Sequence, residues 1–278
     1  MDAIIGSMIA RRQLLVLPFG ALLPGSVALA QQRGSLADPL RLGADTALVE
    51  SGLAKALQLG FARDTGIAVK LVAAPAVRLL EGLAQGEFDA ALANAPDAEL
   101  KLEKEGLVHD RRAIASGEFV IVGPAPRGKE KDPAAIAGLK SVADALIQIR
   151  NAALALPGAI TFLSAGDGSG THVLEQALWR TAKVGPTPPW YVAAEAGPGL
   201  IAQARARGAY ALVERGAWAV QGGAPLAVLV EGDPALGEAV HVMRAFRARH
   251  PAGKIFVAWV AGSKGGRVVA AHRAYRAA

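Results

Sequence analysis

The residue types best suited to binding or chemistry lie together in residues 164–172, which read Ser-Ala-Gly-Asp-Gly-Ser-Gly-Thr-His. An apolar run at 159–163 leads into this segment, and Leu174, Ala177 and Leu178 follow it with the spacing of one helix face. Glycines let the backbone approach a ligand closely, and free N–H groups and hydroxyls at a helix start favour an anion or a polar group. The pattern therefore predicts a strand, a ligand-binding loop and a helix. An ordinary strand-to-helix turn is the alternative.

This segment lacks the known patterns of a catalytic or metal site. A hydrolase nucleophile elbow needs glycines two residues before and two residues after the serine, and Ser169 has Asp167 and Thr171 at those places. The five histidines of the chain lack metal-ligand spacing. We therefore expect no catalytic residue, no metal and no cofactor. The alternative of another class is an exported enzyme whose acid–base group is one of three residues: Asp45, Glu214 or His172.

The first 30 residues have the pattern of a secretory signal peptide. Arg11 and Arg12 precede an apolar stretch that ends in Ala28-Leu29-Ala30. The chain contains no cysteine, which excludes disulfides, thiolate metal sites and a lipid-modified cysteine at the cleavage point. The sequence therefore predicts a soluble protein exported to the bacterial periplasm.

Composition and charge narrow the class of protein further. Apolar residues make up 52% of the chain and charged residues 19%, which is typical of a globular protein. The net charge is +6, but the basic residues are scattered and aromatic residues make up only 5%. No nucleic-acid-binding motif is present, so we expect no nucleic-acid partner.

Strand and helix patterns alternate along the rest of the chain, which predicts an α/β fold with mostly parallel sheets and helices on both faces. The predicted strands are 40–43, 67–71, 89–93, 119–122, 190–193, 209–213 and 226–230. The predicted helices include 51–63, 77–84, 97–105, 133–153 and 199–207. Turn residues and charges at 123–129 predict a crossing into a second lobe.

The order of short motifs resembles the exported solute-binding proteins of ABC importers, specifically those of the tungstate-binding family. The matching segments are 50–53 (Glu-Ser-Gly-Leu), 64–70 (Asp-Thr-Gly-Ile-Ala-Val-Lys), 94–99 (Asn-Ala-Pro-Asp-Ala-Glu), 166–172, 208–212 (Gly-Ala-Tyr-Ala-Leu) and 230–236 (Val-Glu-Gly-Asp-Pro-Ala-Leu). The resemblance implies a type II periplasmic binding protein, with two lobes and a ligand cleft between them. It places the first lobe at 39–122, the second at 123–216 and a return to the first at 217–278.

The resemblance also implies which loops hold the ligand and which partners to expect. The implied binding residues are Asp45, Thr46, Ala74, Pro75, Ser164, Ala165, Gly168, Ser169, Gly170 and Thr171. Among them, Thr46, Ser169 and Thr171 carry the hydroxyls that the family uses. The implied ligand is an oxyanion or another small molecule, and the implied partner is the membrane permease of an ABC importer or a sensor. A monomer is expected.

Three departures from the family pattern bear on the ligand. Ala165 stands where the family has an arginine, Asp45 brings a carboxylate into the first loop, and Pro75 lacks a backbone N–H. A carboxylate about 5 Å from an anion costs on the order of 3 kcal/mol per unit charge at an effective dielectric constant of about 20. Arg78 and Arg215 are candidates for a compensating charge. A small neutral, zwitterionic or cationic organic solute is therefore the alternative to an oxyanion.

Overall fold

Strands and helices alternate along residues 35–128 and 131–278, which are the residues described by the structure, a computed structural model. The predicted signal segment, residues 1–30, lies outside them. No helix in the described part is long and apolar enough to cross a membrane.

The elements follow the predicted order. The strands are β1 (Leu40–Asp45), β2 (Val69–Ala74), β3 (Ala90–Ala93), β4 (Val108–Pro124), β5 (Phe162–Ser164), β6 (Tyr191–Ala193), β7 (Ala211–Glu214), β8 (Leu226–Val230), β9 (Gly237–Ala245) and β10 (Arg276–Ala277). The helices are α1 (Thr46–Glu50), α2 (Leu53–Thr65), α3 (Ala76–Gln85), α4 (Pro96–Lys104), α5 (Val142–Ala155), α6 (Gly170–Thr181), α7 (Leu200–Arg207), α8 (Arg215–Gln221), α9 (Ala252–Val260) and α10 (Ser263–Ala270).

The predicted α/β class is confirmed, but the main sheet is mixed where mostly parallel pairing was expected. Its strand order is β10-β4-β9-β3-β1-β2, with β7 and β8 also paired to β4. β1 is parallel to β2 and to β3, whereas β9 is antiparallel to β3 and to β4. The antiparallel pairs involve β9, which was not predicted, or β4, which is 17 residues long. The sequence pattern predicted only residues 119–122 of it, because charged residues such as Arg111 and Arg112 interrupt the apolar pattern before that point.

The helix predicted from residue 133 begins only at Val142. Asp132 accepts the backbone N–H of Ala137 at 2.8 Å, which holds the chain before the helix in turns. Ser141 then caps α5 by accepting the N–H of Asp144 at 3.2 Å. The start of α5 is therefore set by a serine cap and not by the proline at 133.

Alternate residues of the strands pack into cores on opposite faces of the sheets. In β3, Ala90 and Leu92 belong to one buried apolar cluster, and Ala91 belongs to another. In the later part of β4, Phe119 and Val120 are divided between two further clusters in the same way. Such alternation places a helix layer on each face of a sheet.

β4 changes its neighbours partway along its length. Residues 108–118 pair with β9, and residues 119–124 pair with β7 and β8. At the point of change, the Glu118 carboxylate accepts the backbone N–H of Gly232 at 2.6 Å. This bond joins β4 to residues 231–236, which connect β8 to β9. The middle of β4 and residues 231–236 are therefore held side by side.

The buried clusters divide the fold into two parts. Two clusters draw on residues 40–115 and 240–275, and the other two draw on residues 119–236. We call the elements β1–α4, the first part of β4, and β9–β10 the first half, and residues 119–236 the second half. The lobe limits at 39–122, 123–216 and 217–278 stay predictions. By core packing, residues 217–236 group with the second half.

Buried carboxyl groups lie where the two halves meet. Glu214 and Glu238 are almost fully buried. The side-chain N–H of Asn94 donates to Glu238 at 2.8 Å, and the Tyr275 hydroxyl hydrogen-bonds Glu214. Glu238 and Glu214 lie next to each other, and Oε2 of each has no hydrogen-bond partner among the described residues. Burial raises the pKa of Glu238 to about 8, and burial together with the neighbouring Glu238 charge raises the pKa of Glu214 well above its ordinary value.

We predict that the protein loses stability as the pH rises from about 5 to about 8. In this range the folded protein keeps a proton on Glu238, whereas the unfolded chain, with an ordinary glutamate pKa of 4.5, has released it. The free energy of unfolding should therefore fall by about 1.4 kcal/mol per pH unit for each proton so retained. Urea unfolding at several pH values across this range measures the slope.

Glu238→Gln removes the titrating group and keeps a hydrogen-bond donor and acceptor, so the stability of this variant should depend less steeply on pH. The matched control is Glu81→Gln at an exposed position of α3, which should keep the natural slope. A natural slope in Glu238→Gln would contradict the retained proton.

A second prediction concerns the close packing of β4. A Cβ at Gly123 would lie 2.5 Å from Cδ1 of the buried Tyr210 ring, whereas a Cβ at Gly185 would meet no atom within 4 Å. Gly123→Ala should therefore lower the free energy of unfolding by about 1 to 3 kcal/mol through overpacking. Gly185→Ala should change it by less than about 1 kcal/mol. Urea unfolding measures both, and equal effects would contradict the tight contact.

Candidate ligand-binding site

The carboxyl ends of parallel strands define the site. β1 and β2 end in register at Asp45 and Ala74, and β5 and β6 end in register at Ser164 and Ala193. Each of these strands leads through a turn or loop into the first turn of a helix, namely α1, α3, α6 or α7. The first N–H groups of a helix have no partner within it, so such strand ends are the usual ligand-binding edge of an α/β sheet.

A cavity of about 370 Å³ opens among these strand ends. Its wall combines the first turn of α1, the loop before α6 and the loop before α7. The lining residues are 46, 47, 50, 165–167, 169, 171, 194–200 and 203. Both halves of the fold therefore contribute to one cavity.

The wall of the cavity carries negative charge. Glu50, Asp167 and Glu195 line it, and no lysine, arginine or histidine is among the described lining residues. Burial, together with the charge of Asp167, raises the pKa of Glu50. Glu195 forms an ion pair with Arg207, which lies outside the wall. The cavity is thus better suited to a cationic group than to an anion.

Asp45 precedes Thr46 at the end of β1, is fully buried and is not among the residues that line the cavity. Its Oδ1 accepts the N–H of Ala47 at 3.0 Å, and its Oδ2 accepts the N–H of Gly170 at 3.1 Å. The N–H of Ala76 lies near the carboxylate and also acts to lower its pKa. Burial outweighs these bonds and, with the charge of Asp167, raises the pKa of Asp45 to about 6. The carboxylate accepts hydrogen bonds from the first turns of α1 and α6.

Three of the predicted binding hydroxyls come together on the cavity wall. They belong to Thr46 of α1 and to Ser169 and Thr171 at the start of α6. The Ser169 hydroxyl also caps α6, because its oxygen accepts the N–H of His172 at 3.3 Å. Ala165 lies on the same wall, at the place for which the resemblance implies an arginine.

Ser164 does not line the cavity. It is almost fully buried at the end of β5, and its Oγ accepts the N–H of Gly166 at 3.2 Å. Its hydroxyl lies near the buried Glu175 carboxyl and partly offsets the rise that burial causes in the pKa of that group. Ser164 therefore shapes the loop and is not free to bind a solute.

The residues that follow β2 contact the loop before α6. The N–H of Val77 donates to the carbonyl oxygen of Gly168 at 3.0 Å, which joins α3 to the loop before α6. Ala74 is buried at the end of β2, and Pro75 is the residue that precedes α3. Ala74, Pro75 and Gly168 were predicted to bind the ligand, but none of them lines the cavity.

The two arginines considered as compensating charges both lie away from the cavity. Arg78 is exposed and pairs with Glu87 at 2.6 Å. Arg215 pairs with Glu118 at 2.9 Å and with Glu231. Each guanidinium already has a carboxylate partner, so neither supplies positive charge to the site.

The residues considered for acid–base chemistry have structural partners. Nδ1 of His172 accepts the N–H of Gly168 at 3.0 Å, which holds the loop before α6. Glu214 lies in the buried carboxyl cluster, and Asp45 is held by backbone N–H groups. In the described part of the chain, no group of three or more His, Asp or Glu side chains could hold a metal ion.

Residues 194–200 form a wall of the cavity that was not predicted from the sequence. Gln203 holds this loop, because its side-chain N–H groups donate to the carbonyl oxygens of Glu195 at 2.8 Å and Pro198 at 2.6 Å. The signal was present: Gly197 and Gly199 stand between a strand and a helix, as the glycines of residues 164–172 do. These glycines are the sequence signal that could have indicated residues 194–200 as a second ligand-binding loop.

Comparison with known proteins agrees with this geometry. A family model described as "PBP superfamily domain" matches residues 30–264 of the chain. The chain is similar to the tungstate-binding protein TupA of Peptoclostridium acidaminophilum, with 31% identity over 215 residues that cover 75% of this chain and 69% of the relative. It is also 35% identical, over 197 residues and 69% of its length, to a Haloferax volcanii protein named "Putative ABC transporter anion-binding protein". The match spans about half of that relative, 54% of its length.

A solved structure gives the same result. The structure described as the tungstate ABC transporter from Geobacter sulfurreducens superposes with a TM-score of 0.71 at 30% sequence identity. The match covers 84% of this chain and 98% of that one. The chain therefore belongs to the PBP superfamily and, within it, to the family of the tungstate-binding proteins.

Proposed function

We propose that the chain is the solute-binding component of an ABC importer and that it takes a small zwitterionic or cationic organic solute in place of an oxyanion. The observation that carries this proposal is the charge of the cavity wall. Three carboxylates face the cavity, and the described lining residues include no cationic side chain. Family membership supports the role in transport, and the wall supports the change of ligand.

Electrostatics favours a cationic group over an oxyanion here. Like unit charges about 5 Å apart repel by on the order of 3 kcal/mol at an effective dielectric constant of about 20, and unlike charges attract by the same amount. An ammonium group beside Glu50 and Asp167 gains this interaction, whereas a dianion meets repulsion. The hydroxyls of Thr46, Ser169 and Thr171 are suited to the neutral or carboxylate end of the same solute.

A solute in this cavity contacts both halves of the fold. Thr46 and Glu50 belong to the first half, and Asp167 and Ser169 belong to the second. A ligand that binds both halves at once favours the arrangement in which they are close together, which is the hinge closure of two-lobed binding proteins. We propose that the closed form delivers the solute to a membrane permease, or to a sensor, from the periplasm, and that the protein is a monomer.

An oxyanion is the second candidate, because two relatives are named for tungstate. The hydroxyls on the wall are compatible with it. The carboxylates on the same wall are not, so the two candidates predict opposite results in one experiment.

We predict that thermal unfolding distinguishes them. The protein is unfolded and refolded to remove carried-over ligand, and its melting temperature is then measured with tungstate, molybdate, sulfate and phosphate and with amino acids, small organic acids and amines. The melting temperature should rise with the logarithm of the concentration of an amine or amino acid and should not respond to the oxyanions. A shift with tungstate alone would overturn the proposed ligand class.

Variants of the wall test the same proposal. Glu50→Gln and Asp167→Asn should each weaken binding of the solute found in the screen by up to roughly 100-fold, because each removes one attractive charge worth about 3 kcal/mol. Glu81→Gln lies outside the cavity and should leave the affinity unchanged. Mass spectrometry of the solute after incubation should recover it unmodified, and a product would show an enzyme instead.

A further inference from the structure

We propose that a second cavity, which lies between the starts of α4, α6 and β9, binds a small primary alkylammonium ion, with the ammonium group beside Asn94 and Glu238 and the alkyl chain against α6. This cavity is separate from the one described above. The inference therefore goes beyond the proposed function and does not depend on which solute the first cavity takes.

The second cavity has a volume of about 150 Å³. Its lining residues are 94–97, 119, 170, 173, 174, 177 and 237–239, and none of them lines the first cavity. They come from both halves of the fold. Liquid water takes up about 30 Å³ per molecule, so the cavity has room for roughly five non-hydrogen atoms. It is therefore suited to a small solute.

The polar end of the cavity consists of an amide and a carboxyl group. Asn94 is only 5% exposed and Glu238 only 4%. The side-chain N–H of Asn94 donates to Oε1 of Glu238 at 2.8 Å. Two oxygens remain, Oδ1 of Asn94 and Oε2 of Glu238, and neither has a hydrogen-bond partner among the described residues. Buried polar atoms are normally paired, so these oxygens require a group that donates hydrogen bonds.

The unpaired oxygen of Asn94 lies at the wall of this cavity. A Cβ added to Gly170 would lie 2.0 Å from Oδ1 of Asn94, and both residues line the cavity. The oxygen is thus directed at the start of α6. Because an amide oxygen only accepts hydrogen bonds, a ligand group at this point must be a donor.

The charge of the wall favours a cationic donor over a neutral one. Glu238 and the exposed Asp97 are carboxyl groups on this wall, and no lysine, arginine or histidine is among the described lining residues. An ammonium group donates three hydrogen bonds and carries the opposite charge. Much of the remaining wall is apolar and includes Phe119, Val173 and Leu174. Such a surface is suited to an alkyl chain, because contact with it removes the methylene groups from water.

Binding of an ammonium group should favour the ionised form of Glu238. Burial raises the pKa of this carboxyl to about 8, so it carries a proton at neutral pH. The titratable groups around it are Asp45, Glu214 and Tyr275, together with Asp97 on the cavity wall, and none of them is cationic. A bound cation stabilises the carboxylate and expels the proton. The affinity for an alkylammonium ion should therefore rise as the pH rises from about 6 to about 8.

Isothermal titration calorimetry with butylammonium chloride tests the site. Ala177 lies on the α6 side of the cavity, so Ala177→Leu should fill part of the space and weaken binding there by at least roughly 10-fold. The matched control is Ala258→Leu at an exposed position of α9. This position lines neither cavity, so the control should keep the natural affinity.

A double variant separates the two cavities. Glu50→Gln/Asp167→Asn removes two carboxylates from the first cavity and leaves the lining of the second unchanged. The double variant should still bind butylammonium, and addition of Ala177→Leu to it should weaken this binding. If the triple variant unfolds cooperatively and binds butylammonium as tightly as the double variant does, the inference is overturned. Loss of all butylammonium binding in the double variant would also overturn it.

Another substitution keeps the inference testable should Ala177→Leu fail to fold. Glu238→Gln removes the charge and keeps a hydrogen-bonding group. In the Glu50→Gln/Asp167→Asn protein, it should weaken butylammonium binding at about pH 8 by at least roughly 10-fold and abolish the rise in affinity between about pH 6 and about pH 8. An affinity that Glu238→Gln leaves unchanged would contradict the site. Butyrate, which has a similar length and the opposite charge, should not bind, and its binding at this cavity would contradict the need for a donor.

The outcomes for this inference and for the proposed function are distinguishable. If butylammonium binding is lost in Glu50→Gln/Asp167→Asn and unchanged in Ala177→Leu, the first cavity takes the amine and the inference of a second site fails. If binding is lost in Ala177→Leu and unchanged in Glu50→Gln/Asp167→Asn, the second site stands and the cationic preference proposed for the first cavity loses its support.

Discussion

The buried carboxylate of Asp45 accepts hydrogen bonds from the first turns of α1 and α6, and so connects the two halves of the fold. The N–H groups at those turns have no partner within their helices, so they need an anion, a polar group or water. Asp45 supplies the anion from the end of β1 and reaches across to Gly170 at the start of α6. Burial raises the pKa of the neighbouring Glu214 and Glu238, which favours their neutral forms and limits the buried negative charge at this point. The contact between the start of α1 and the start of α6 depends on the Asp45 carboxylate.

Local signals predicted most of the elements, and long-range partners account for what was missed. The Asp-Thr-Gly sequence at 64–66 ends α2 as expected, because Gly66 adopts the left-handed conformation that a helix end requires. The first part of β4 was missed because its charged residues find distant partners, such as Arg111 with the buried Glu99 at 3.0 Å. The sequence alone shows a carboxylate at position 45 and indicates that its charge affects the choice of ligand. That this carboxylate binds Gly170, 125 residues later, is a consequence of the fold that no local pattern records.

The apolar residues of the chain determine its fold, whereas a few polar residues select its ligand. Buried clusters on both faces of the sheets preserve the fold of the family, and they tolerate change so long as volume and alternation are kept. The ligand is selected by a few polar residues at strand ends, where one substitution reverses a charge. This is why a chain about 30% identical to tungstate-binding proteins can keep their architecture and present a wall with Glu50 and Asp167 and no cation among its described residues.

The bond between Glu118 and Gly232 has a mechanical consequence. It fastens β4 to the segment between β8 and β9 at the level where β4 exchanges one set of neighbours for the other. Because this bond joins the two segments, they cannot bend independently. A rotation of one half against the other would therefore bend both segments about a common axis. In the proposed hinge closure, the two segments would therefore bend together, and sliding or twisting of one half against the other would be resisted.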